Sequence, residues 1–389
     1  MTKPWRALLA AQLGWMLDAM DFLLFTFAIP PIQKEFGLSS ATMGGLTSVA
    51  LIASAIGGIA FGAFADRIGR VRAMTISILV YSFATAGLAT SHALWQLLAW
   101  RTLVGFGMGG EWSCGSVLVA ETWPAEHRGK AMGIMQSGWA IGAMLAAGIA
   151  AFVLEPYGWR VLFLVGALPA VAAFFIRRGV EEPQVWRERT EPAPPWTDIF
   201  RAALIRRTLL ATAVASSVLI AYWGLTSWLP AFLASTGLTL TKSAEWLVIL
   251  QAGAFLGYIS FGWIADRFGR RPAFTAFMIG ATVCVPLFAF GARSTLTLLT
   301  IGPLVGYFGH GYFSIFGVML AELFPTRIRA TAQGFCYNFG RVLSAAAPYT
   351  IGAAAATYGL AIPLAIAAMF FGLGGALIWL LPETKGAAL

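Results

Sequence analysis

The nine residues Gly62-Ala63-Phe64-Ala65-Asp66-Arg67-Ile68-Gly69-Arg70 return as Gly262-Trp263-Ile264-Ala265-Asp266-Arg267-Phe268-Gly269-Arg270, 200 positions further on. Each copy follows a long apolar run and precedes another. A charged loop repeated in fixed register between apolar helices marks one membrane module written twice. The register continues. Ala120-Glu121-Thr122-Trp123-Pro124 with Arg128 matches Ala321-Glu322-Leu323-Phe324-Pro325 with Arg329, at an offset of 201. Both copies run in the same direction, so a pseudo-two-fold axis along the membrane normal is expected.

Composition identifies the solvent. The chain is 59% hydrophobic and only 11% charged, against about 25% charged in a soluble domain. Apolar runs fall near 7–32, 42–65, 72–91, 94–121, 129–154, 159–177, 208–235, 244–265, 272–291, 295–322, 329–356 and 359–381. Each is close to the ~20 residues that cross a bilayer. The reading is an all-α membrane protein with twelve transmembrane helices in two pseudo-symmetric six-helix bundles. The first bundle is residues 1–177 and the second 208–389. The charged, proline-containing segment 178–207 is a linker between them. The first run is too long for the apolar part of a signal peptide and lacks a cleavage site.

The net charge of +9 does not call for nucleic acid, because topology explains it. Twenty of the 26 lysines and arginines fall on the side of the repeated loops, and Lys34, Arg160, Lys242 and Arg293 fall on the other. Arg101 and Arg341 remain inside the membrane. The positive-inside rule makes the crowded side, with the linker and both termini, cytoplasmic. Cys114, Cys284 and Cys336 sit within apolar runs and read as packing residues. His92, His127 and His310 lie far apart, with no metal-ligand spacing.

Two parallel halves with an Asp-Arg-x-Gly-Arg loop after the second span of each resemble the major facilitator superfamily over essentially the whole chain. Further matching details are Arg101 opening a Gly-rich fourth span, Glu121 with Arg128, Glu182-Pro183, and Pro382-Glu383-Thr384-Lys385-Gly386. The resemblance implies that Asp66 contacts the start of the eleventh span across the bundle interface. Asp266, Arg267 and Arg270 would do the same towards the fifth, mirroring Arg67 and Arg70. Glu121 with Arg128, and Glu322 with Arg329, would complete charge clusters that latch the cytoplasmic side. The alternative is that these arginines only hold the loops inside.

Charge within the membrane costs at least about 2.5–3.5 kcal/mol, so each such residue needs a reason. They are Asp18, Asp21, Arg101, Glu111, His310 and Arg341. Asp18 and Asp21 share a helix face. The resemblance to proton-coupled carriers implies that Asp21 pairs with Arg101 and releases it on protonation; the alternative is a static buried pair. Glu111 reads equally as a second proton site or a structural acid. Arg341, with Asn338 three residues before it and Tyr337 adjacent, is well shaped for a carboxylate. His310, Gln251, Gln136 and Tyr222 are further polar or aromatic groups at that depth, although a lone histidine is more often a core residue. The segments Gly14–Phe22, Gly109–Trp112 and Phe335–Arg341 are similar to those of sialate and lactate proton symporters.

The expectation is a monomeric, proton-coupled symporter in a bacterial cytoplasmic membrane that imports a small organic carboxylate, such as a monocarboxylate or aromatic acid. It would use no cofactor beyond the coupling proton and no nucleic acid. The alternatives are a sugar or sialate carrier, an efflux antiporter, and a transport-inactive nutrient sensor. An enzyme is not expected.

Overall fold

The computed structural model describes residues 3–177, 179–235, 240–291, 294–387 and 389. Arg178 and Arg293 lie outside the described residues, as do the side chains of Arg177 and Lys242. Among the described residues the regular secondary structure is entirely helical. In the first half, α1 is Lys3–Phe36, α2 Ser40–Ile68, α3 Arg70–Leu88, α4 Leu94–Thr122 and α5 Arg128–Arg177. A short α6, Gln184–Arg187, lies in the linker. The second half holds α7 Ile205–Ser235, α8 Leu240–Phe268, α9 Arg270–Gly291, α10 Thr295–Gly311, α11 Ser314–Leu323, α12 Arg329–Ser344, α13 Ala346–Tyr358 and α14 Ala361–Leu377.

Among the described residues, nine helices are long and apolar enough to cross a membrane. The twelve predicted spans map onto these helices with three local differences. The fifth and sixth are the two arms of α5, joined at Gly158, whose φ of 77° breaks the helical path. The tenth is α10 followed by α11, interrupted at Tyr312 and Phe313. The eleventh is α12 followed by α13. Pro348 has no N–H to offer the carbonyl of Ser344, the last residue of α12, so the helix stops there and restarts with proline in its first turn. The fourth and eleventh spans are missing from the nine: α4 carries Arg101, Glu111 and Glu121, and α12 and α13 are each short.

The repeated loop has a local logic. Gly69 and Gly269 end one helix and open the next with φ of 113° and 107°, in the region where only glycine is unstrained. Gly62 and Gly262 serve packing instead. A Cβ on either would run into the carbonyl of Ala330 or Gly129 in the opposite half. The halves therefore meet along two close crossings, α2 on α12 and α5 on α8. The linker and both chain ends share one face of the molecule. Trp123 donates to the Pro4 carbonyl there, and Arg128 donates to that of Ala387. We call it the linker face.

Candidate functional site

Two charge clusters lie at the linker face, one under each crossing. In the first, Asp66 accepts backbone N–H bonds from Ala330 (3.2 Å) and Thr331 (2.7 Å) at the start of α12, and one from the Thr331 hydroxyl. A carboxylate at a helix N-terminus meets unsatisfied donors and the positive end of the dipole. Arg70, fully buried, is 3.0 Å from Asp66 and binds both oxygens of Glu121 at 2.9 Å. In the second, Asp266 accepts from Gly129 and Lys130 at the start of α5, and Arg270 bonds Asp266 and Glu322.

One expected pairing is corrected. Arg128 does not pair with Glu121, nor Arg329 with Glu322; the two arginines cross over. Arg128 reaches Glu322 at 2.7 Å and Arg329 reaches Glu121 at 2.5 Å. Arg70 and Arg270 already hold the glutamates of their own halves, and the remaining carboxylate capacity points into the interface. Each crossing arginine is anchored at home by its Nε, which donates to Ala120 or Ala321 at 2.8 Å. Arg67 and Arg267 also differ from expectation. Both are exposed and stay outside the clusters, because their helix positions turn outward while Asp66, Arg70, Asp266 and Arg270 turn in.

Glu182 and Glu383 have a structural role that the motif resemblance did not specify. Glu182 accepts from the backbone N–H groups of Arg70, Val71 and Arg72, capping α3. Glu383 accepts from Arg270 and Arg271 and so caps α9. Burial would raise the Glu383 pKa, but the backbone donors of Arg271, Arg270, Lys385 and Thr384 outweigh it and hold the carboxyl below its usual range. The offset of 201 between the two glutamates is the signal that finds them.

Towards the membrane interior the halves meet again in a polar and aromatic layer. Trp112 of α4 stacks on Tyr337 of α12 at 3.9 Å between centroids and donates to Gln136 of α5. Gln333 donates to Ser116, and Asn338 to Ser113 at 3.4 Å. Asn338 is buried with its Oδ1 unpartnered and lines neither compartment of the central cavity described next.

Beyond this layer is a small central cavity with two adjoining compartments. Trp15, Trp139, Trp223 and Arg341 line both. The larger adds Asp18, Ser54 and Arg101; the smaller adds Gln136, Tyr222, Tyr258, Phe313 and Tyr337. Arg341 donates to Ser54 Oγ at 2.6 Å. No carboxylate among the described residues lies within salt-bridge distance of it. Asp21 and Arg101 are electrostatic neighbours but form no ion pair; the Arg101 guanidinium instead sits 3.8 Å over the Phe25 ring. The closed pair expected from the sequence is therefore absent from this conformation. Glu111 is fully buried in α4, away from the cavity lining. His310 stands behind the wall, edge-on to Tyr222 at 5.1 Å and Tyr258 at 6.4 Å. Gln251 lines neither compartment.

Sequence reasoning missed Ser54, Trp15 and Trp139. The repeat offers a signal for all three, since their counterparts are Ala254, Ala215 and Gly340.

Comparison with known proteins agrees with this architecture. The chain is 35% identical to a probable 4-methylmuconolactone transporter of Cupriavidus pinatubonensis, over 98% of this chain and 91% of that protein. It is 33% identical to a cis,cis-muconate transport protein of Acinetobacter baylyi (90% and 88%). It is 31% identical to the sialic acid transporter NanX of Escherichia coli (94% and 91%). The fold matches that of the proton:xylose symporter XylE with a TM-score of 0.84 at 19% identity, covering 100% of this chain and 98% of that one. The family model for the Major Facilitator Superfamily matches residues 13–260 and 242–388. With the internal repeat, the paired linker-face clusters and a cavity between the halves, these matches show that the chain is a multi-pass membrane transporter, not an enzyme, and belongs to the major facilitator superfamily.

Proposed function

We propose that the protein imports a small, flat organic carboxylate together with protons, across a bacterial cytoplasmic membrane and with the linker face towards the cytoplasm. One observation carries the reading: a guanidinium, Arg341, lines both compartments of the central cavity, and no carboxylate among the described residues lies within salt-bridge distance of it. A cation held in low dielectric without a counter-ion is an anion site, and the planar fork of arginine suits a carboxylate. Trp15, Trp139, Trp223, Tyr222 and Tyr337 supply faces for an unsaturated or ring-bearing body. Relatives named for muconate, muconolactone and sialic acid support an organic acid.

Proton coupling rests on Asp18 and Asp21. Asp18 shares the larger compartment with Arg101 and Arg341, and Asp21 is the acid coupled to Arg101. Protonation of this pair would offset the charge of an entering carboxylate. The linker-face clusters act as the latch of alternating access. Opening that face would break both helix-terminus contacts and both crossed ion pairs together.

The test is uptake by proteoliposomes under an imposed pH gradient, screened against benzoate, nicotinate, cis,cis-muconate, lactate, sialate and hexoses. Carboxylate uptake driven by an inward proton gradient is expected. Inhibition by hexoses and not by carboxylates would make it a sugar carrier. Carboxylate uptake indifferent to the gradient would remove the coupling.

A further inference from the structure

We infer that Ser54 is a second anchor for the substrate carboxylate, so that both halves grip the same anion. The inference rests on the carboxylate site at Arg341. Ser54 lies on α2 in the first half and Arg341 on α12 in the second. Ser54 is buried, lines the larger compartment with Arg341 and accepts the 2.6 Å bond from Nη1. A hydroxyl can accept and donate at once. Among the described residues the Ser54 hydroxyl donates to nothing. A hydroxyl donor is thus left over beside the guanidinium on one cavity wall, and a carboxylate held by Arg341 has a second oxygen to accept from it. Ser54 also orients the fork, because its bond fixes Nη1.

The arrangement depends on conformation. α2 and α12 are held together at the linker face by Asp66 and the start of α12. Parting of that face draws Ser54 away from Arg341. The carboxylate then keeps one of its two anchors. Affinity is therefore higher when the linker face is closed than when it is open, which loads the anion on the far side and releases it at the linker face. A ligand shifts a conformational equilibrium only by such a difference in affinity. The second half has Ala254 at the position of Ser54, so the device is not part of the repeated machinery.

The experiment compares wild type, Ser54→Ala, Ser54→Thr and Arg341→Ala in proteoliposomes, using whichever of benzoate, nicotinate and cis,cis-muconate wild type takes up best. KM is measured separately from each face. Ser54→Ala is expected to raise the far-side KM about tenfold, the worth of one hydrogen bond to a charged group. It should leave the linker-side KM within twofold and so abolish the difference between the faces. Ser54→Thr, which keeps the hydroxyl, should restore that difference. An unchanged or lowered far-side KM in Ser54→Ala, with uptake lost in Arg341→Ala, would overturn the inference and leave the Arg341 site standing. Uptake that survives Arg341→Ala would overturn the site itself.

Discussion

The two linker-face clusters are near copies, whereas the two membrane interiors are not. Asp66, Arg70, Glu121 and Arg329 on one side correspond residue for residue to Asp266, Arg270, Glu322 and Arg128 on the other. Each cluster has two acids and two arginines, is buried, and holds the start of a helix in the opposite half. In the interior, Asp18, Asp21, Arg101 and Glu111 belong to the first half, and His310 and Arg341 to the second. A closure that must seal and release as one event is served by equal contacts on both sides of the axis. A substrate with one carboxylate has no such symmetry, and its site is free to be lopsided.

The largest expected effect comes from breaking a cluster. Glu121→Gln leaves Arg70 and Arg329 buried with one counter-ion fewer, at a cost of about 3–5 kcal/mol. The yield of folded protein in detergent should fall sharply, and Glu322→Gln should fall less because Thr384 also bonds that carboxylate. Equal losses would show that the clusters are interchangeable. Next, Asp66→Asn should impair transport at normal expression, more than Asp266→Asn does, since Asp66 also holds the Thr331 hydroxyl. Unchanged uptake in both would remove the latch.

The interior should respond differently. Arg341→Ala should lower carboxylate kcat/KM by about 100-fold or more, a loss of at least ~3 kcal/mol of charge-assisted binding. Its melting temperature should hardly change, since Arg341 has no buried counter-ion to strand. Asp18→Asn and Asp21→Asn should each weaken the response of uptake to the proton gradient. A variant with full wild-type coupling would show that its aspartate does not carry the proton.

The smallest effects belong to the helix caps. Glu383→Gln should cost about 1 kcal/mol, typical of a lost cap, read as a small fall in melting temperature. The Glu383 carboxyl is held below its usual range. Its contribution to stability is therefore complete above the unfolded pKa and is lost as pH falls through the folded one. Wild type and Glu383→Gln should converge in melting temperature as pH drops below the carboxylate range.

Much of this was legible without a fold. A period of 200 to 201 residues, twelve apolar runs and one-sided arginines define two parallel six-helix halves, because membrane insertion is decided locally along the chain. The buried acids and arginines were also legible, since charge inside an apolar run needs no neighbour to be conspicuous. Partnership was not. Arg128 lies seven residues from Glu121 in sequence yet serves Glu322, because its own glutamate is already held by Arg70.

The sequence by itself thus determined the modules, their parallel orientation and the residues too costly to be accidental. Only the tertiary structure decided that Arg341 faces Ser54, that Arg101 rests on Phe25 while Asp21 stands apart, and that Arg67 and Arg267 turn outward. Helix register is a property of one segment, readable from period and composition. The side chain that meets another across two packed halves depends on how the halves are rotated about their axis, and no single segment carries that angle.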